Sequence, residues 1–101
     1  MEITTKTNGQ SVDVFISGII KTISDGQSIK EAVARVFAQD SQQLIHIHIK
    51  DSFIITSSVI GFLIKSIKVD KMELSVYVYS NELYTMLEDM NLIESMNVRK
   101  A

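Results

Sequence analysis

Cysteine, proline and tryptophan are all missing from the 101-residue chain, and the first two absences each close off a class of explanation. Without cysteine there is no disulfide, no thiolate nucleophile and no zinc–thiolate site, a composition that suits a reducing compartment. Without proline there is no proline-rich linker and no fixed kink to mark an internal boundary. Positive charge is not in excess: ten basic residues stand against twelve acidic ones, a formal charge of −2, so the chain lacks the net basic field that nucleic-acid binding requires. No segment approaches the roughly 20 apolar residues needed to cross a bilayer. The opening Met1-Glu2-Ile3-Thr4-Thr5-Lys6 also lacks the apolar region of a signal peptide. The expectation is one domain over residues 1–101, cytoplasmic, not inserted directly in a membrane and not bound to nucleic acid. Its 46% of apolar residues suffice for a real core.

What is present is organised around Leu44 to Lys68. Leu44-Ile45-His46-Ile47-His48-Ile49 alternates at period two, which puts Ile45, Ile47 and Ile49 on one face of a strand and both histidines on the other. From Thr56 the period becomes helical, with Ile60, Leu63, Ile64 and Ile67 at i, i+3, i+4 and i+7. With the core direction set midway between Ile60 and Ile67, Ser58, Phe62 and Lys65 point outward and Ser57 and Gly61 lie on the flank.

Ahead of this stretch, two alternating runs, Glu2 to Thr7 and Ser11 to Ser17, flank Asn8-Gly9, whose tolerance of positive φ predicts a hairpin. Ser28-Ile29-Lys30-Glu31 reads as a capping box at the start of a first helix with Ile29, Ala32, Val33 and Val36 inward. Beyond Lys68, Met72 to Tyr79 alternates again, and Ser80 or Asn81 caps a third helix through Leu83, Met86, Leu87 and Met90, ended by Asn91. Ile93 to Val98 is expected to add a short edge strand, with Arg99-Lys100-Ala101 frayed. The order β-β-α-β-α-β-α-β predicts an α/β fold: a mixed sheet of four to five strands with three helices mainly on one face. The opposite face would carry His46, His48, Tyr77 and Tyr79.

Thr56-Ser57-Ser58-Val59-Ile60-Gly61-Phe62-Leu63, following an isoleucine-rich strand, resembles the Asp-Ser-Ser-Gly-Leu-Gly-x-Leu signature of the STAS domain. That family includes bacterial anti-sigma-factor antagonists and the cytoplasmic ends of sulfate transporters. The resemblance is specific between about Gln43 and Val98 and topological before that. It implies a STAS-like fold and a protein-interaction role in signal transduction and transcription regulation. In the antagonists the first serine of the signature is phosphorylated by a partner kinase that is itself an anti-sigma factor, and the match places that serine at Ser57. Ser58, further outward, is the second candidate. Thr56 stands where the family has aspartate and Val59 where it has glycine. Members lacking the aspartate are often scaffolds or lipid-transport subunits.

On spacing alone, Thr56 and Ser57 are helix-capping hydroxyls. A phosphoserine at a helix start would nonetheless be stabilised by free amides and the helix dipole while adding charge to the outer surface. Thr56, Ser57, Ser58, Gly61, Phe62 and Lys65 form the candidate partner-binding patch, with Phe62 as its exposed aromatic centre. His46-x-His48 has a spacing found in some metal sites, but no third ligand is visible beyond Asp13, and the pair is read as packed beside Tyr77 and Tyr79. No glycine-rich phosphate loop or Gly-x-Ser-x-Gly occurs, and no acid pair has a spacing that suggests shared proton work. No catalytic residue, metal or cofactor is expected, and the protein is read as a non-enzyme. The leading expectation is a partner-switching regulator of the antagonist type, phosphorylated at the start of the helix and bound to a serine kinase or anti-sigma factor. The alternatives are an unmodified STAS scaffold or transporter-associated subunit of the lipid-transport type, and a sensor binding a small molecule between strand ends and helix start.

Overall fold

Alternation, helical periodicity and local capping together build eight elements, seen in a computed structural model that describes residues 1–101. They are β1 (Glu2–Asn8), β2 (Ser11–Ser17), α1 (Ile23–Gln39), β3 (Leu44–Ile49), α2 (Ser57–Lys68), β4 (Leu74–Val78), α3 (Asn81–Asp89) and β5 (Val98–Lys100). The five strands form one sheet in sequential order, β1 antiparallel to β2 and all later neighbours parallel. The mixed α/β arrangement expected from the sequence is therefore present.

Register explains the core. Val12, Ile45 and Leu74 lie side by side across β2, β3 and β4, as do Val14, Ile47 and Val76, then Ile16, Ile49 and Val78. All nine are buried. β-Branched side chains stand well on a pleated surface, and rows of them give the helices a continuous apolar floor. Ile29, Val33 and Val36 of α1, Val59, Ile60 and Leu63 of α2, and Leu83 and Leu87 of α3 join those strand residues in one cluster of 22 buried residues. The three helices thus cover a single sheet face, and the other face is left to its own side chains.

Four local expectations are corrected. The hairpin turn falls at Gly9-Gln10, because Asn8 pairs with Ser11 and only Gly9 adopts positive φ. α1 starts at Ile23, five residues before Ser28. Thr22 is its N-cap: the Thr22 hydroxyl accepts from the Asp25 N–H at 3.0 Å, and the Asp25 carboxylate accepts from the N–H groups of Lys21 and Thr22, both at 3.1 Å. That capping box satisfies free amides earlier in the chain and leaves Ser28 inside the helix. The last strand is Val98–Lys100 rather than Ile93 to Val98. Asn97 turns the chain at φ 49° and Val98 then pairs with Val76, so Arg99 and Lys100 are ladder residues and not a frayed end. In α2 the buried residues are Val59, Ile60, Leu63 and Ser66, with Ile64 and Ile67 only half-buried. The helix is rotated by about 60° from the orientation that apolar spacing suggests. Ser66 tolerates the core side because its hydroxyl donates to the Phe62 carbonyl at 2.8 Å.

Candidate functional site

The start of α2 is held by a loop whose Asp51 and Ser52 side chains are both hydrogen-bonded. Leaving β3, the chain places the Asp51 carboxylate 2.7 Å from the Gly18 N–H. Ser52, fully buried, accepts from the Ile20 N–H at 3.0 Å and donates to the Ile54 carbonyl at 2.6 Å. These bonds clamp the segment after β2 to the segment after β3, at the carboxyl ends of the parallel strands. Neither residue carries a signal in sequence, because the partners lie more than 30 positions away.

From that clamp Thr56 enters as N-cap, half-buried, its hydroxyl accepting from the Val59 N–H at 3.3 Å. Ser57 and Ser58 follow, both exposed. The Ser58 hydroxyl accepts from the Lys30 ammonium of α1 at 2.6 Å, whereas the Ser57 hydroxyl makes no side-chain hydrogen bond. α1 comes this close because Gly26 lacks a side chain: a Cβ there would sit 3.2 Å from Val59 Cγ2 and 3.7 Å from Thr56 Oγ1. One turn on, Gly61 is exposed with open space where a Cβ would be. Lys65 is exposed and pairs with Asp70 at 3.3 Å.

Phe62 departs from its expected place. The rotation of α2 turns its ring onto the flank, half-buried against the core, so it does not stand out as a free anchor. The exposed apolar side chains at this end of the molecule are instead Phe53 and Ile54 in the loop and Ile23 at the start of α1.

Charge at the helix start is unbalanced. α1 has Asp25 in its first turn and α3 has Glu82, but α2 has no acid there. Apart from the Thr56 hydroxyl on the Val59 N–H, its first turn and positive dipole end meet no acidic side chain, and the Lys30 ammonium sits on the Ser58 hydroxyl. Asp25 is itself well compensated: the N–H groups of Lys21 and Thr22 hold its carboxyl below the ordinary value.

On the uncovered sheet face, the structure brings together the residues that the alternation placed there and adds others. Phe15, His48 and Tyr77, adjacent in register, stack with centroids 4.7 and 5.0 Å apart. His48 Nε2 lies 2.9 Å from Asp13 Oδ1 and its Nδ1 lies 3.0 Å from the Tyr79 hydroxyl. A carboxylate can only accept, so Nε2 carries the proton toward Asp13 and the Tyr79 hydroxyl completes the ring's bonding. His46 Nδ1 is 3.6 Å from the same Asp13 oxygen, and the Lys50 ammonium sits 4.2 Å from the Tyr79 ring centre. His48, Asp13 and Tyr79 thus satisfy one another, and no group of three or more ligand side chains is arranged to hold a metal ion.

The surface hollows lie away from the α2 start. One groove of about 380 Å³ runs between β1 and α1, lined by residues such as Ile3, Glu31 and Arg35. The other two hollows border α3. None involves Ser57 or the strand ends beside it. No helix is long and apolar enough to cross a membrane.

No protein-family model matches the sequence, and no curated protein sequence matches it. Among solved structures, the crystal structure of an anti-sigma factor antagonist from Mycobacterium paratuberculosis superposes with a TM-score of 0.79, at 14% identity. The match covers 96% of this chain and 83% of that one. The chain has a STAS-like fold, the fold of an anti-sigma factor antagonist.

Proposed function

We propose that the chain is a protein-interaction regulator of the anti-sigma-factor antagonist type, with the start of α2 as its switching surface and Ser57 as its phosphoacceptor. The observation that carries this reading is the pair of exposed serines at the one helix start without an acidic first turn, on the fold of an anti-sigma factor antagonist. A phosphate on Ser57 would meet free amides, the dipole's positive end and the nearby Lys30 ammonium, so the helix itself would tolerate it. The outer surface would not be unchanged: about −1.5 to −2 charge units would arrive beside Gly61, where a partner has to be desolvated. Ser58 is the weaker acceptor, since its hydroxyl is already engaged by Lys30.

A second reading, a permanently docked scaffold or transporter-associated subunit, is favoured by one feature: Phe53, Ile54 and Ile23 are exposed at the same end of the molecule. Such apolar exposure suits a constant partner and needs no switch. The two readings separate on one experiment. The protein is incubated with ATP and the purified serine kinases of its source organism that resemble anti-sigma factors, and the peptide spanning Ser57 and Ser58 is analysed by mass spectrometry. Phosphate on Ser57, abolished by Ser57→Ala, supports the switch; an unmodified peptide beside a kinase active on its own substrate removes it.

A further inference from the structure

We propose that β1 is a self-pairing edge, through which two copies of this chain join antiparallel into one ten-stranded sheet. The inference is independent of the α2 surface. β1 lies at the end of the sheet, runs seven residues in unbroken register with β2, and is exposed at every position except the half-buried Ile3. An edge of that length normally carries a bulge, a proline or a cover that blocks pairing with another chain. β1 has none of these. At the opposite edge, β5 is blunted by being only three residues long.

The hydrogen-bond alternation says which groups are free. Asn8 and Ser11 close a two-residue turn as a mutually bonded pair, so Lys6, Thr4 and Glu2 bond inward to β2. The N–H and C=O groups of Ile3, Thr5 and Thr7 then point away from the sheet. A second copy can use them only in registers that set odd-numbered residues opposite one another.

Charge selects among those registers. With Thr4 opposite Thr4, Ile3 of each copy bonds Thr5 of the other. Glu2 then faces Lys6 of the second copy, and two-fold symmetry makes that contact twice. A shift of two residues along the strand loses both ion pairs. Ile3 and Thr5 line the groove under α1, where Glu31 and Arg35 add one charge of each sign, so the paired edges would also close an open hollow.

Sedimentation equilibrium on the full chain from about 1 µM to 1 mM tests the pairing. A dimer is expected, weakened about tenfold or more by Lys6→Glu or by Glu2→Lys, each of which turns two attractive contacts into two repulsive ones. The double exchange Glu2→Lys/Lys6→Glu is expected to restore it. Both side chains are exposed, and circular dichroism checks that each variant folds. On the unmodified chain, amide exchange at Ile3 and Thr5 should slow as concentration rises. A monomer throughout, a dimer indifferent to single reversals, or one that the double exchange fails to restore overturns the proposal.

Discussion

Ser52→Ala isolates the clamp that positions the start of α2. The substitution removes one hydroxyl and with it two hydrogen bonds, to the Ile20 N–H at 3.0 Å and the Ile54 carbonyl at 2.6 Å. Ile20 is buried, so its N–H is left without a partner in a place water does not reach. An ordinary neutral hydrogen bond contributes about 1 kcal/mol, and an orphaned buried donor costs about 1–3 kcal/mol, which together give about 2–4 kcal/mol. Against a domain stability of about 5–15 kcal/mol this is a large loss. For a domain of this size it corresponds to a fall in Tm of roughly 10–20 °C. Urea titration and thermal unfolding followed by circular dichroism measure it, with an unchanged m-value confirming that stability and not the extent of unfolding has altered. Ser41→Ala, at an exposed serine, is the control and should stay within about 0.5 kcal/mol. Hydrogen exchange should accelerate locally from Gly18 to Ile20 and from Phe53 to Thr56. A Ser52→Ala protein within about 0.5 kcal/mol of the unmodified chain would refute the reasoning that the clamp organises this end of the fold.

Ile47→Ala, at the centre of the fully buried strand rows, is expected to cost about 2–5 kcal/mol in the same urea titration. Thr56→Ala removes the α2 N-cap and is expected to cost about 1 kcal/mol, with the loss appearing as faster amide exchange at Val59. Asp25 is held below its ordinary pKa of 3.8 by two backbone N–H groups, so the folded state favours the charged form. Its stabilising contribution is complete above that value and is lost as pH falls through the lower folded one. The stability gap between the unmodified chain and Asp25→Asn should therefore be flat above pH 3.8 and close below it, as read by urea midpoints at a series of pH values. Asp13→Ala deprives His48 Nε2 of its acceptor in a half-buried setting and should cost about 1–2 kcal/mol without altering the helical signal.

Much of the fold is legible in the order of residues because both periods are clean. The runs at Val12 to Ile16, Ile45 to Ile49 and Leu74 to Val78 alternate without interruption, and each becomes a strand with its aliphatic residues beneath the helices. The start of α1 was not legible in the same way. Ser28 with Glu31 has the commoner capping composition, while Thr22 and Asp25 flank an almost fully exposed Ile23, which breaks the apolar pattern a helix start suggests. α2 was misoriented because counting apolar residues ignores Ser66, a serine that enters the core by bonding its own helix. That rotation moves Phe62 from outward to half-buried, while Ser58 and Lys65 are exposed as expected and Ser57 and Gly61, expected on the flank, are exposed too. The contacts between Lys30 and Ser58, Asp51 and Gly18, and Ser52 and Ile20 join residues 28 to 33 positions apart, and no local pattern encodes such distances. The uncovered face was partly legible: alternation placed both histidines, Tyr77 and Tyr79 there, and register added Phe15 to the stack.

A switching role for the start of α2 requires that it meet a protein partner through a surface that Ser57 controls. The direct measurement is a binding titration of a purified serine kinase of the anti-sigma-factor type against the unmodified protein, Ser57→Ala and Ser57→Asp, each first shown to unfold at the same urea midpoint. Retained affinity for Ser57→Ala with a loss of about tenfold or more for Ser57→Asp, about 1.4 kcal/mol, is the predicted result. Equal affinity for all three proteins would contradict it.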